Sequence, residues 1–208
     1  MAEELLINVN PFETRVALVA HGLLQEIHVA RAEGYSVTGN IYLGRVERIV
    51  PGMQAAFVNI GLHRPGFLHA RDIDSPRVIL SDDGSGRDAA KADIRELLHD
   101  GQTILIQVEK DPISTKGARL STQLALASKY LVLMPNETHV GVSQRIQDEG
   151  ERHRLRTLLS TVQGARETAV GVIARTAAES ATELQLANDF FLLERIWNRV
   201  LVRSQEAD

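Results

Sequence analysis

The run Asn40-Ile-Tyr-Leu-Gly-Arg-Val46 decides the fold of this chain together with the two runs that follow it, Pro51-Gly-Met-Gln-Ala-Ala-Phe-Val-Asn-Ile-Gly61 and Gly66-Phe-Leu-His69. Apolar and polar side chains alternate along these runs and glycines interrupt them, which is typical of short strands. The alternation places Phe57 and Phe67 on neighbouring strands, as an S1-type OB barrel does to stack on single-stranded RNA. The pattern makes RNA the first partner to consider.

The rest of residues 38–124 extends this pattern to a barrel with five strands, the number of an OB-fold. An Asp-, Ser- and Gly-rich stretch at 74–90 is expected to be a loop, followed by a short helix near 91–98. The strands are predicted near 40–50, 53–60, 65–69, 103–110 and 117–123.

Other units flank the predicted barrel on both sides. Residues 4–30 show three alternating runs separated by turn residues, which predicts a β-meander. Residues 125–175 combine short apolar strands with helical spacing over 149–162. The last helix, about 181–203, carries an apolar stripe with little sequence after it to cover it, so we expect it to need a partner or further chain. The stripe comprises Leu186, Phe190, Leu193, Trp197 and Val200.

Composition narrows the possible classes of protein. The chain has 208 residues, 44% of them hydrophobic, which suits one large domain or two to three small ones. It has no cysteine, so neither a disulfide framework nor a cysteine zinc site is available. An acidic N-terminus and the lack of any run of about 20 apolar residues predict a cytoplasmic protein without a membrane partner. The net charge of −4 means that RNA contacts must come from local patches and stacking, or from a larger assembly.

The candidate RNA-binding side chains each have a structural alternative. Phe57 and Phe67 could instead pack in a core, where aromatic side chains on strands are usually found. Lys116 could belong to a solvated hairpin rather than contact a phosphate, and the same holds more strongly for Arg119. Gly117, between them, would let the backbone approach a neighbouring strand closely.

Arg175 and Thr176 follow a predicted strand and form the sharpest polar pair in the chain. An arginine and a hydroxyl at a strand end can hold a terminal phosphate. Alternatively, Thr176 caps a helix, since the run 176–179 fits a capping box. A second box, Ser180-Ala-Thr-Glu183, directly precedes the apolar periodicity and predicts the better helix start, which would leave Thr176 free.

No catalytic constellation is visible in the sequence. The seven histidines are scattered, without partners at metal-ligand spacing. Phosphate-binding loops, nucleophile elbows and paired metal-binding motifs are all missing from the sequence. The residues alone therefore offer no convincing catalytic site.

Several long runs, spread over essentially all 208 residues, resemble the N-terminal region of the ribonuclease E/G family of bacterial endoribonucleases. Such a match at several separate places makes a chance likeness improbable. The longest runs are Glu4-Leu-Leu-Ile-Asn-Val9, Pro51-Gly-Met-Gln-Ala-Ala-Phe57, Thr115-Lys-Gly-Ala-Arg-Leu120, His139-Val-Gly-Val-Ser-Gln-Arg-Ile146 and Arg175-Thr-Ala-Ala-Glu179.

The resemblance implies an α+β architecture. An S1 domain at 38–124 and a 5′-sensor domain at 125–190 would be inserted in a partial RNase-H-like subdomain, formed by residues 1–37 and 191–208. It also implies roles for individual residues. The family's RNA-contacting positions correspond to Phe57, Phe67 and Lys116, and its pocket for a 5′-monophosphate corresponds to Arg175, Thr176 and Val132.

The resemblance further implies an activity for the intact family member. It would be a Mg²⁺-dependent, homodimeric endoribonuclease that processes ribosomal RNA precursors and degrades messenger RNA in the cytoplasm. The two aspartates that hold Mg²⁺ would lie in a later domain beyond residue 208, so no catalytic or metal-binding residue is expected in this chain and no cleavage by it alone. Two alternatives are a free-standing, non-catalytic S1-type RNA-binding protein and a defective fragment that aggregates through its last helix.

Overall fold

The computed structural model describes residues 3–31, 36–74, 92–164 and 170–206. It divides into two compact units, Met1–Val37 and Thr38–Asp208. The larger unit contains a closed barrel and a second sheet that is packed by helices. The whole is a mixed α+β structure, as the sequence predicts.

The smaller unit is an antiparallel meander of β1 (Glu3–Val9), β2 (Glu13–Ala20) and β3 (Leu23–Arg31). Asn10 forms the first turn, where its side-chain oxygen accepts the N–H groups of Phe12 and Glu13 at 2.9 Å. His21 and Gly22 form the second turn with φ angles of 55° and 73°. Positive φ at both positions matches the twist of the strands that they join. The predicted meander is confirmed.

The barrel consists of five strands that close in the order β4-β5-β6-β8-β7. Antiparallel pairs make up most of it, and β6 and β8 close it in parallel. This arrangement is compatible with an OB-fold and confirms the five predicted strands to within a few residues. Their bounds are β4 Ile41–Val50, β5 Ala55–Asn59, β6 Gly66–His69, β7 Thr103–Lys110 and β8 Arg119–Ser121.

The short helix α1, Ile94–Leu97, lies between β6 and β7 in the chain, and its first residue is fully buried. Asp93 caps it by accepting the N–H of Arg95 at 2.9 Å. Bonds from the Arg95 side chain and backbone hold the pKa of Asp93 well below its usual range. The helix confirms the one predicted near 91–98, whereas most of the predicted loop at 74–90 lies outside the described residues.

The second sheet has the order β11-β12-β10-β9, with β11 and β12 parallel and the other pairs antiparallel. Two helices pack on one of its faces around a single buried cluster. The element bounds are β9 Leu126–Ala127, β10 Leu131–Met134, β11 Val140–Val142, α2 Glu149–Gly164, β12 Gly171–Ala174 and α3 Glu183–Glu206.

The apolar stripe of α3 joins this cluster along only part of its length. Leu186, Phe190 and Leu193 are buried, and Trp197 packs against the same cluster. Phe191, on the other side, is 53% exposed. The predicted helical spacing is thus confirmed. In the part of the chain that the structure describes, no helix is long and apolar enough to cross a bilayer.

The start of α3 differs from the predicted one. Thr182 caps the helix: its hydroxyl accepts the Gln185 N–H at 3.3 Å, and Gln185 Oε1 accepts the Thr182 N–H at 2.8 Å. The predicted box from Ser180 to Glu183 is wrong, because the Ser180 N–H is already bonded to Glu151 Oε1 at 2.9 Å. A reciprocal box forms only where the second side chain can reach back to the cap.

An ion pair on α2 fixes the segment that leads into α3. Arg154 contacts both carboxylate oxygens of Glu151, at 2.6 and 2.7 Å, and donates to Ala181 O at 3.0 Å. The bond from Arg154, followed by the one from the Ser180 N–H, lowers the pKa of Glu151 to about 2. The pair therefore remains ionised near neutral pH and holds the turn at Ser180–Ala181 against α2.

Candidate nucleic-acid interface

Strand pairing brings four side chains into one row across the outside of the barrel. Arg48 on β4 pairs with Phe57 on β5, which pairs with Phe67 on β6, which pairs with Arg119 on β8. The two rings meet edge to face, with centroids 6.1 Å apart. The Arg48 guanidinium lies over the Phe57 ring, with Cζ 5.6 Å from its centroid. We call these four residues the outer-face row.

Both phenylalanines of the outer-face row are half-buried, whereas their neighbours along the strands are not accessible. Ala56, Val58 and Leu68 are each 0% exposed. Since alternate residues of a strand point to opposite faces, the neighbours fill the barrel core and the two rings lie on its surface. The core-packing alternative for Phe57 and Phe67 is therefore not what the structure shows.

Lys116 is exposed at the tip of a hairpin that lies beside the start of β6. Its backbone exchanges hydrogen bonds with Ile113, at 2.9 and 3.2 Å. Arg64 donates from Nη1 to Thr115 O and ties the hairpin to the loop before β6. The hairpin thus holds a cation next to the strand that carries Phe67.

Gly117 makes this close approach possible. A Cβ at this position would lie 1.9 Å from Pro65 O, and neither backbone could yield without moving the hairpin. The next residue, Ala118, accepts the Phe67 N–H at 2.7 Å. The sequence predicted that Gly117, next to Lys116, would let the backbone approach a neighbouring strand closely. The structure shows this close approach.

Arg119 is engaged by carboxylates rather than left to solvent. It contacts Asp72 at 3.0 Å and Glu109 at 2.9 Å. Two ion pairs reduce its value as a phosphate contact, in line with the weaker expectation for it.

The sequence did not indicate Arg48 or His69, although both neighbour the rings: His69 lies 6.4 Å from Phe67, measured between ring centroids. Cross-strand register is the signal that would have found them.

A second polar site lies where β12 ends. The Arg175 N–H donates to Tyr130 O at 2.8 Å, and its Nη1 donates to Ser128 O. The Thr176 and Ser143 hydroxyl oxygens are 3.1 Å apart and share a hydrogen bond. Arg175 and Thr176 are both exposed. Thr176 begins a single 3-10 turn, Thr176–Ala178, rather than capping α3.

Val132 lies on the sheet face opposite the helices. Its strand neighbours Leu131 and Leu133 are buried in the cluster, and Val132 is half-buried and pairs with Ile173 on β12. Alternation along β12 places Ile173 and Arg175 on the same side. Val132, Arg175 and Thr176 are therefore within one small region. Ser143 belongs to it as well, and neither its spacing nor its type distinguished it in the sequence.

The described residues offer no ligand set for a divalent metal. Within residues 3–31, 36–74, 92–164 and 170–206, no three His, Cys, Asp or Glu side chains come together as a metal site requires.

Replacing Gly117 by alanine tests the hairpin geometry. The added methyl group would push the hairpin and Lys116 away from Pro65, at a cost of about 1–3 kcal/mol in the free energy of unfolding. Thermal unfolding should show this loss, and fluorescence anisotropy should show weaker binding of a short single-stranded RNA. Gly164→Ala is the matched control, since a Cβ there meets nothing within 4 Å. If Gly117→Ala changed neither the unfolding temperature nor RNA binding, the close contact with Pro65 would not be what positions Lys116.

Comparison with known proteins gives a consistent set of relatives. The ribonuclease E/G family model matches residues 125–208. Ribonuclease G of Escherichia coli (strain K12) is 48% identical over 205 residues, which cover 99% of this chain and 41% of that protein. Ribonuclease G of Haemophilus influenzae has the same identity and coverage. Ribonuclease E of a Nostoc species is 39% identical over 190 residues, 91% of this chain and 26% of that protein.

The chain thus spans 41% of the length of its ribonuclease G relatives. Its identity to ribonuclease G, 48%, is higher than its identity to ribonuclease E of the Nostoc species, 39%. The family-model match over residues 125–208, and an identity of 48% along nearly the whole chain, show that this chain is homologous to the ribonuclease E/G family.

Proposed function

We propose that this chain is the RNA-recognition half of a ribonuclease-G-type endoribonuclease and binds single-stranded RNA and its 5′-monophosphate. The intact protein would process ribosomal RNA precursors and degrade messenger RNA in the cytoplasm. The observation that carries the proposal is the outer-face row, in which two surface phenylalanines lie beside a cation on a closed barrel.

The outer-face row has the chemistry of a base-stacking platform. Each base stacked on an aromatic ring contributes roughly 1–3 kcal/mol, whatever its identity. Arg48 supplies positive charge over the Phe57 ring, and Lys116 supplies a second cation on the hairpin beside the start of β6, where phosphates of the same strand would pass. This local arrangement reconciles RNA binding with a net charge of −4, because the affinity then depends on stacking and a few nearby cations.

The site at the end of β12 supports recognition of a 5′-monophosphate. A guanidinium carries five N–H donors in a fixed plane, so the bond from Arg175 to Ser128 O leaves donors for phosphate oxygens. The Thr176 hydroxyl can donate to the same group, and Val132 would line the pocket. A phosphate here would make charge-assisted hydrogen bonds that a 5′-hydroxyl end cannot make.

The domain assignment belongs to the same proposal. We assign 38–124 to an S1 RNA-binding domain, 125–190 to a 5′-sensor domain, and 1–37 with 191–208 to a partial RNase-H-like subdomain. The separate N-terminal unit supports the first boundary. The last boundary falls inside α3, where Leu193 and Trp197 still pack in the buried cluster of the second sheet. Cleavage, Mg²⁺ and a homodimer are assigned to the intact enzyme and not to the described residues.

Alanine substitutions in the outer-face row test RNA binding. Phe57→Ala and Phe67→Ala should each weaken binding of a short single-stranded RNA by roughly five- to 150-fold, which corresponds to one lost stack. Fluorescence anisotropy at fixed salt measures this. Phe191→Ala on α3 is the control, because that ring is exposed at the surface but lies outside the row. If both row variants bind like the unmodified chain, the platform assignment is wrong.

Paired RNAs test the 5′ site. The chain should bind an RNA with a 5′-monophosphate roughly tenfold more tightly than the same RNA with a 5′-hydroxyl, the value of one charge-assisted hydrogen bond. Arg175→Ala should bring this ratio close to one. Arg156→Ala removes an exposed arginine from α2 and should leave the ratio unchanged. Equal binding of the two RNAs by the unmodified chain would show that only the barrel face binds.

A further inference from the structure

Asp189 lies on α3, beside the fully buried Phe190, and its side chain is directed at the turn that joins β9 to β10. One oxygen, Oδ2, accepts the backbone N–H groups of Tyr130 at 2.9 Å and Leu131 at 3.0 Å. The Ser128 hydroxyl donates to the same oxygen. Three donors from one short turn thus converge on a single carboxylate, which is half-buried.

The turn between Ser128 and Leu131 is also closed on itself. The Ser128 N–H donates to Leu131 O at 2.9 Å, and the Ser128 hydroxyl oxygen lies 3.1 Å from the same carbonyl. Since a hydroxyl carries one proton, the carboxylate and the carbonyl compete for it. The two backbone N–H groups have Asp189 as their acceptor, so the position of the turn depends on that carboxylate.

The same turn holds Arg175 at two points. Tyr130 O accepts the Arg175 N–H at 2.8 Å, and Ser128 O accepts from Arg175 Nη1. The first contact fixes the backbone of Arg175 and the second fixes the direction of its guanidinium. A continuous chain of hydrogen bonds therefore runs from Asp189 through the turn to the side chain that would bind the phosphate.

We propose that Asp189 is a positioning residue for the 5′-phosphate site: its carboxylate holds the Ser128–Leu131 turn, and the turn aims the Arg175 guanidinium. The inference rests on the proposed function of that site. Without the carboxylate, the two backbone N–H groups lose their acceptor and the Ser128 hydroxyl turns to Leu131 O. The turn then moves to let water reach the two N–H groups, which shifts Ser128 O and releases Arg175 Nη1. The cluster around Phe190 and Leu193 does not include this carboxylate and can remain packed.

The test compares variants of the full chain on the paired 5′-monophosphate and 5′-hydroxyl RNAs. Asp189→Ala should bring the affinity ratio to within about twofold of one while binding to the 5′-hydroxyl RNA stays unchanged. Asp189→Asn retains an acceptor oxygen and should keep more of the preference. Leu193→Ala, on the same helix but with a side chain that accepts no hydrogen bond from the turn, should lower the unfolding temperature and keep the ratio. Each variant is assayed well below its own unfolding temperature.

A spectroscopic measurement separates positioning from general loosening. The ¹H–¹⁵N signal of the Arg175 Nε–H group, assigned by its loss in Arg175→Ala, should shift or broaden in Asp189→Ala and stay in place in Leu193→Ala. A folded Asp189→Ala protein with an unchanged ratio and signal would overturn the inference, and so would equal loss of the ratio in Leu193→Ala. If Asp189→Ala does not fold, an unchanged ratio and signal in Asp189→Asn overturn it and an intermediate ratio supports it.

The outcomes also separate this inference from the proposed function. If Arg175→Ala loses the preference and both Asp189 variants keep it, the role of Asp189 is wrong and the 5′ site stands. If the unmodified chain shows no preference, the 5′ site is wrong and the inference falls with it.

Discussion

The pairing register of β5 and β6 determines which side chains the barrel presents on its outside. Phe57 lies opposite Phe67, and the same register places Ala56 opposite Leu68 in the core. A slip of β6 by one residue would turn Phe67 inward and expose Leu68. Burial of a leucine side chain contributes about 1.5–3 kcal/mol, so core packing itself opposes the slip. The exposed rings are therefore a consequence of how the barrel core is filled.

Local patterns in the sequence were sufficient for most of the fold. Alternation and glycine breaks predicted the five barrel strands, and spacing at three and four residues predicted α3 through Leu186, Phe190 and Leu193. The same alternation placed Phe57 and Phe67 on neighbouring strands, and the structure pairs them directly. These features were predictable because each depends on the period of one element, which the sequence carries within a short window.

The features that the sequence did not predict depend on contacts between distant positions. Ser128 and Asp189 are 61 residues apart, and Arg119 and Asp72 are 47 apart. Neither pairing produces a periodic pattern in the sequence. The ion pair of Arg119 with Asp72 and the hydrogen bonds from the Asp189-bound turn to Arg175 are therefore visible only in the folded structure. The prediction of where α3 starts was wrong for a related reason. The capping patterns Ser180–Glu183 and Thr182–Gln185 overlap, and the Ser180 N–H is bonded to the distant Glu151, so the box forms at Thr182.

We propose that single-stranded RNA lies along the outer-face row and reaches the end of β12. Amide chemical-shift mapping of the ¹⁵N-labelled chain, titrated with a short RNA that carries a 5′-monophosphate, tests this binding path. If the RNA binds there, the largest shifts should cluster in β5, β6, the hairpin at Lys116 and the segment Arg175–Thr176. Shifts confined to the N-terminal meander or to the exposed side of α3, with β5 and β6 unchanged, would contradict it.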